Sequence, residues 1–124
     1  MQPGAGINGF ALIHASGNSG VMTEIREPED CETMEEVRAG VDDVDRRIVA
    51  LMARRFGFMD AAARIKQDRM AVRDERRKAE VLAKVEAAAT ERGVDAKLVR
   101  RLYDELIESS IAYEFEEFDR LRPS

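Results

Sequence analysis

The apolar residues between positions 37 and 67 recur at alternating steps of four and three, which predicts one long amphipathic helix. The stripe runs through Val37, Val41, Val44, Ile48, Leu51, Arg55, Phe58, Ala62 and Ile65. Asp30 or Thr33 can cap its start, and the periodicity continues to about Gln67. About 35 helical residues would span roughly 50 Å, which is longer than a small domain is wide. Part of this helix is therefore expected to pack on another chain.

Two shorter helices are predicted after the long one. Asp74 can cap the first of them and Gly93 can end it, while Asp95 can cap the second. The apolar face of the first carries Val81, Leu82, Val85 and Ala88. The expected buried side of the second carries Leu98, Leu102, Leu106, Ile107, Ile111 and Phe115 or Phe118. No strand pattern competes with these helices, so the predicted fold class is all-α, with one long and two shorter helices.

Residues 1–27 have a different composition from the rest of the chain. Five of the eight glycines fall in the first twenty positions, and the apolar residues there show no period. This predicts a flexible Gly-rich leader at 1–27 and a helical domain at 28–124. The leader contains a G-x-G-x-x-G pattern at Gly4, Gly6 and Gly9, but no predicted strand precedes it and no amphipathic helix follows. A dinucleotide site is therefore not expected.

The composition excludes several classes of protein. Cys31 is the only cysteine, which rules out an intrachain disulfide and favours a reducing compartment, so a cytoplasmic location is expected. The chain has no run of about eighteen apolar residues, so no membrane span is predicted. Positions 64–78 hold seven basic and three acidic residues, but the whole chain has a net charge of -5 and no aromatic residues interleave with these cations. Nucleic-acid binding is therefore not expected.

Arg55 stands on the apolar stripe of the long helix, where a hydrophobic residue is expected. A buried cation without a partner costs several kcal/mol, on the order of its desolvation penalty, so Arg55 must meet an anion or reach water. Lys66 follows eleven residues later, about 20° away around the helix and roughly 16 Å along it. The two cations could enclose a small anion. Alternatively, Arg55 pairs with a glutamate of the acidic third helix and Lys66 is solvated.

The other two helices also carry polar residues at the edges of their apolar faces. Arg77 lies one turn before Val81, and Ser110 and Glu114 follow Leu106 at steps of four. Such breaks on all three helices predict a cationic cavity that contains a carboxyl group.

Arg38 lies seventeen residues before Arg55, about 25 Å away along one helix. The two residues cannot hold one small ligand from the same helix. If Arg38 binds a ligand, the other members of its site must come from a second subunit. Otherwise Arg38 is an ordinary exposed residue.

The stretch from about Pro28 to Leu121 resembles the all-helical chorismate mutases, small helical proteins that form an intertwined homodimer. The resemblance rests on the order and spacing of five motifs. These are EEVRAGVDDVDRRI with Arg38, LMARR with Arg55, AARIKQ with Lys66, VRDERR with Asp74 and Arg77, and ESSIAYE with Ser110 and Glu114.

The resemblance implies a role for each of these residues. Arg38 of the partner subunit would bind the two carboxylates of chorismate together with Arg55 and Arg77. Lys66 would hydrogen-bond the ether oxygen and a carboxylate. The Asp74 carbonyl would contact the substrate hydroxyl, and Ser110 would also contact the substrate. The implied reaction is the pericyclic rearrangement of chorismate to prephenate, which needs no metal and no cofactor.

Two positions depart from the pattern of many bacterial members. Many bacterial members carry Gln where this chain has Glu114. They also carry Glu where this chain has Lys78, and that Glu helps to hold the ring hydroxyl. Fungal members are similar in carrying Glu at the first position. A donor to the ether oxygen is required there, and a carboxyl group donates only when it is protonated.

Two alternative functions are open at this point. The PEDC motif at 28–31 and the long first helix are also similar to the isochorismate-pyruvate lyases of salicylate formation, which share the fold. The mutase is preferred because VRDERR is more similar to the mutase turn than to the proline-bearing lyase loop. The second alternative is that the protein is not an enzyme. It would then be a dimerisation or regulatory module in which the arginines pair with the acidic third helix.

Overall fold

The computed structural model describes residues 12–14 and 22–123 of the chain. Three α-helices account for most of these residues: α1 (Met34–Ile65), α2 (Glu75–Glu91) and α3 (Ala96–Leu121). Single 3₁₀ turns precede α1 at Pro28–Asp30 and α2 at Arg69–Ala71. The predicted all-α fold, with one long and two shorter helices, is confirmed.

Each helix begins at a side-chain cap because the first backbone N–H groups have no partner inside the helix. Thr33 Oγ accepts from the N–H of Glu36 at 3.1 Å, and the Glu36 carboxylate accepts from the N–H groups of Glu32 and Thr33. This reciprocal capping box selects Thr33 over Asp30, which belongs to the preceding 3₁₀ turn. Asp74 caps α2 and Asp95 caps α3, as predicted.

The end of α2 depends on a residue with a positive φ angle. Gly93 has φ 74°, in the left-handed region where a side chain is strained. Its N–H donates to the Thr90 carbonyl, and the N–H of Val94 donates to the Ala89 carbonyl at 2.8 Å. These two bonds form a Schellman motif, so Gly93 ends the helix as the sequence predicts.

The chain divides into two compact units, residues 1–53 and 54–124. In the first unit, a short β1 (Leu12–His14) pairs antiparallel with β2 (Met22–Glu24), and Ile13 lies opposite Thr23. The sequence pattern predicts no strand here, because three residues are too few to show a period. The Gly-rich motif at 4–9 lies outside the described residues, and the leader boundary at residue 27 stays a prediction.

The apolar stripe of α1 in the first unit is exposed rather than buried in this single chain. Its members are Val37, Val41, Val44, Ile48 and Leu51, which are between 38% and 64% exposed. Among the residues of this unit whose burial is described, the buried apolar side chains are instead Ile25 and Ala39. The stripe is therefore a contiguous hydrophobic face without a partner among the described residues.

The core of the second unit lies between the last turns of α1 and the other two helices. It consists of Ala63, Val72, Leu82, Ile107, Ile111 and Phe118. The prediction that Leu98 and Leu102 are buried is wrong, since these residues are 38% and 60% exposed. Ala88 is also exposed, and its neighbour Ala89 is buried instead. Within the described part of the chain, no helix combines the length and apolarity needed to cross a membrane.

Candidate active site

A cavity of about 350 Å³ opens in the second unit between the last part of α1, the start of α2 and the middle of α3. Six of the seven residues predicted as site residues line it: Arg55, Lys66, Asp74, Arg77, Ser110 and Glu114. Val72, Val81 and Ile107 form part of its apolar wall. The described residues contain no group of three or more His, Cys, Asp or Glu side chains placed to hold a metal ion.

Arg55 is half-buried and meets a hydroxyl group instead of a carboxylate. Its Nη1 donates to Ser110 Oγ at 2.6 Å, and Ser110 Oγ in turn donates to the Leu106 carbonyl at 2.7 Å. The guanidinium carbon lies 5.7 Å from the centre of the Tyr103 ring. Among the described residues, no carboxylate lies within ion-pair distance of Arg55. The alternative in which Arg55 pairs with a glutamate of the third helix is therefore wrong for this chain.

Lys66 and Glu114 form an ion pair at the wall of the cavity. Glu114 is only 4% exposed, and Lys66 Nζ lies 2.8 Å from its Oε2. The Lys66 ammonium is the ion-pair partner of Oε2, and this buried oxygen makes no further hydrogen bond among the described residues. A bound molecule or a water can add one. Glu114 Oε2 is thus an atom that can bond to a bound molecule.

The cap of α2 sets the position of Arg77. Asp74 Oδ1 accepts from the backbone N–H of Arg77 at 3.0 Å, and the Asp74 carbonyl accepts from the N–H of Lys78 at 3.0 Å. The Arg77 guanidinium lies 3.4 Å from Glu80 Oε1, and both side chains are more than half exposed. Exposed ion pairs of this kind contribute little, so a ligand carboxylate can replace Glu80.

Lys78 also lines the cavity, but its ammonium is bound by the acidic face of α3. Nζ lies 2.7 Å from Glu108 Oε2 and 2.9 Å from Asp104 Oδ1, and these hydrogen bonds raise the pKa of Lys78. Arg73 holds the same Glu108 carboxylate at 2.6 Å. The hydrogen bonds from Arg73 and Lys78 lower the pKa of Glu108 from 4.5 to about 2. This cluster was not predicted from the sequence, although the four-residue spacing of Asp104 and Glu108 on α3 was a signal for it.

Arg38 is the predicted site residue that this single chain does not bring to the cavity. It lies on α1 in the first unit, and its side chain is exposed. A second cavity, of about 430 Å³, lies in that unit and is bordered by Val37, Val41 and Val44. The two arginines at its border are already paired, since Arg26 lies 3.0 Å from Glu36 and Arg47 lies 2.9 Å from Asp43. It is therefore less suited to an anionic ligand than the cavity of the second unit.

Comparison with known proteins assigns the family. Residues 37–115 match the model of the family described as chorismate mutase type II. The chain belongs to this family. It is also 33% identical, over 88 residues, to the isochorismate pyruvate lyase of Pseudomonas aeruginosa, an alignment that covers 71% of this chain and 87% of the relative. The chain is thus an enzyme of the chorismate mutase and isochorismate pyruvate lyase kind.

The Glu108 cluster predicts how stability changes at acidic pH. Because the pKa of Glu108 is lower in the folded state than its ordinary value of 4.5, its contribution is present above that value and is lost as the pH falls toward about 2. Glu108→Gln is expected to lower the melting temperature at pH 7 and to make it less sensitive to pH between about 5 and 2. Thermal unfolding followed by circular dichroism measures both effects.

Glu116→Gln is the matched control for this experiment, because Glu116 lies exposed on the same helix and makes no ion pair among the described residues. The control is expected to keep the acid sensitivity of the wild-type protein. Equal acid sensitivity in all three proteins would contradict the role assigned to the cluster.

Proposed function

We propose that the protein is a chorismate mutase, which rearranges chorismate to prephenate in one pericyclic step. The observation that carries the proposal is the half-buried guanidinium of Arg55, which lines the cavity and has no carboxylate partner within the described part of the chain. Arg77 and Lys66 line the same space, so the cavity suits a small dicarboxylic acid. Family membership supports a substrate of the chorismate type.

The first task of the site is to fold the substrate so that its enolpyruvyl group lies over the ring. Arg55 and Arg77 bind the two carboxylates, and Arg38 of a partner subunit joins them. Arginine suits this task because its planar fork of donors can hold a carboxylate through two parallel bonds. Fixing the geometry of a reacting molecule contributes about 7 to 11 kcal/mol in favourable systems.

The second task is to stabilise the negative charge that grows on the ether oxygen as the C–O bond breaks. The Lys66 ammonium donates to this oxygen from one side. Glu114 donates from the other side when its carboxyl group is protonated, a state that replaces the ion pair with Lys66. Loss of one such donor typically costs about 10²- to 10³-fold in rate.

Ser110 and Asp74 hold the cations and the ring in place. Ser110 accepts from Arg55 and thereby fixes the direction in which the guanidinium points. Asp74 lines the cavity and its carbonyl already accepts from the Lys78 N–H, so the second lone pair of that carbonyl is the one that accepts from the substrate hydroxyl.

A second copy of the chain completes the proposed site. The exposed stripe from Val37 to Leu51 is a hydrophobic face that needs a cover, and a two-fold dimer covers it with the same face of its partner. Arg38 lies on this segment of α1 and is exposed. In the proposed homodimer, each subunit supplies its Arg38 to the cavity of the other.

A second candidate is the lyase reaction, which splits isochorismate into salicylate and pyruvate. The 33% identity to the isochorismate pyruvate lyase favours it, and the same cations could bind either substrate. We rank the mutase first because Asp74 and Arg77 belong to a turn that resembles the mutase turn. A non-catalytic module ranks last, because it would need Arg55 to be paired with an acidic residue of α3.

The direct test of the function is to assay the purified protein with chorismate and with isochorismate side by side. We expect the absorbance of chorismate to decline as prephenate forms. Salicylate and pyruvate from isochorismate, without prephenate from chorismate, would assign the lyase reaction instead. Turnover of neither substrate would favour the non-catalytic module.

The role of Glu114 as a donor predicts how two substitutions differ. Glu114→Gln keeps a side-chain N–H that can donate to the ether oxygen, so this variant is expected to stay active on chorismate. Glu114→Ala removes the donor and is expected to lower kcat by about 10²- to 10³-fold. The measurement is kcat for both variants, and equal losses would contradict the assignment.

The proposed sharing of residues between subunits can be tested by mixing two inactive variants. Arg38→Ala and Arg55→Ala are each expected to lose about 10²-fold or more in activity. When equal amounts are unfolded together and refolded, half of the dimers contain one chain of each kind, and one of their two sites has both arginines. About a quarter of the wild-type activity should therefore return. No recovery would show that the two arginines do not meet across a dimer.

A further inference from the structure

Lys66 lies immediately after the last residue of α1, where the final backbone carbonyls of a helix lack partners within it. The N–H of Lys66 still donates to the Ala62 carbonyl at 2.9 Å. Arg122 supplies donors for the carbonyls that follow. Its Nη1 donates to the Ala63 carbonyl at 2.9 Å, and its Nη2 donates to the carbonyls of Arg64 at 3.2 Å and Lys66 at 2.6 Å. One guanidinium from beyond the end of α3 thus caps the end of α1.

Arg122 is itself held in place. Its guanidinium carbon lies 3.9 Å from the centre of the Phe118 ring, and Phe118 belongs to the buried core. Stacking of a guanidinium on an aromatic face is favourable and fixes its plane. Because Arg122 is anchored by the core, it can fix the backbone that it bonds to.

Residues at the C-terminal part of α3 and just beyond it contact both the ammonium and the backbone carbonyl of Lys66. Glu114 and Phe118 are four residues apart and share one face of α3, and Arg122 directly follows the last residue of that helix. Glu114 contacts the Lys66 ammonium, and Arg122 bonds the Lys66 carbonyl. The position of the ammonium in the cavity thus depends on two contacts, one of which lies outside the cavity.

We propose that Arg122 is a positioning residue that places Lys66 for the reaction. The proposal rests on the proposed function, because it assigns Lys66 the task of donating to the ether oxygen. Arg122 does not line the cavity, so it acts through the backbone of Lys66. Without the cap, the last turn of α1 frays, and the backbone that carries the Lys66 ammonium is no longer held in one position. A misplacement on the order of 1 Å can cost about 10²-fold in rate.

Arg69 provides a matched control for Arg122. It binds Asp119 through two hydrogen bonds of 2.8 and 3.1 Å, and its guanidinium carbon lies 4.5 Å from the centre of the Phe115 ring. Arg69 therefore connects the segment that follows α1 to the same end of α3. Like Arg122, it lies over an aromatic ring. Unlike Arg122, it makes no bond to the Lys66 backbone among the described contacts.

The first measurement does not depend on activity. Amide hydrogen exchange of Lys66 is compared in the wild-type protein, Arg122→Ala and Arg69→Ala, at a temperature where circular dichroism shows all three folded. Arg122→Ala is expected to speed the exchange of the Lys66 amide by about 10-fold or more, because local opening becomes easier. Arg69→Ala is expected to leave it within about 2-fold. Equal exchange in the two variants would overturn the proposal.

The second measurement is steady-state kinetics with the substrate that the wild-type enzyme turns over. Arg122→Ala is expected to lower kcat by about 10- to 100-fold, with a smaller change in KM, whereas Arg69→Ala keeps kcat within about 2-fold. Arg122→Lys is expected to restore part of kcat, since an ammonium can bond fewer of the carbonyls. Wild-type kcat in Arg122→Ala, or equal losses in both alanine variants, would overturn the proposal.

The two measurements separate this proposal from the proposed function. A wild-type protein that turns over neither substrate would overturn the catalytic role of Arg122 together with the proposed function. The exchange of the Lys66 amide would still show whether Arg122 orders that residue. If the wild-type enzyme is active and Arg122→Ala has the same kcat, only the positioning role is overturned.

Discussion

The site depends on one interaction, the bond from the half-buried guanidinium of Arg55 to a serine hydroxyl instead of to a carboxylate. Helix α3 carries seven acidic residues between positions 104 and 119, so carboxylates are abundant nearby. They are used on other cations: Asp104 and Glu108 bind Lys78, Asp119 binds Arg69, and Glu114 lies beside Lys66. Arg55 thereby keeps its positive charge at the cavity with no carboxylate of the described residues paired to it. A ligand with carboxylates can satisfy that charge.

Local features of the sequence were sufficient to predict the helices. Caps at Thr33, Asp74 and Asp95 and the stop at Gly93 act within a few residues, so their chemistry can be read from neighbouring positions. Spacing by three and four also placed Arg55, Lys66 and Glu114 on the inner edges of their helices. Because the cavity forms where those edges meet, most of its lining could be predicted as well.

Features that depend on how helices turn toward each other could not be predicted in the same way. Leu98 and Leu102 continue the apolar face of α3, but they remain exposed in the single chain. The pairing of Lys78 with Glu108 and the capping of α1 by Arg122 join residues 30 and 56 positions apart. Such contacts follow from the packing of whole helices, and no short sequence motif predicts them. The exposed stripe of α1 likewise has meaning only once a second chain is considered.

In the proposed site, cations from two subunits hold a small dicarboxylic acid in the cavity beside α3. A crystal structure of the protein with bound prephenate tests this arrangement most directly. We expect a two-fold dimer in which the carboxylates of the ligand contact Arg55 and Arg77 of one subunit and Arg38 of the other. An empty cavity at saturating ligand, or an Arg38 that points away from the ligand in both subunits, would contradict the claim.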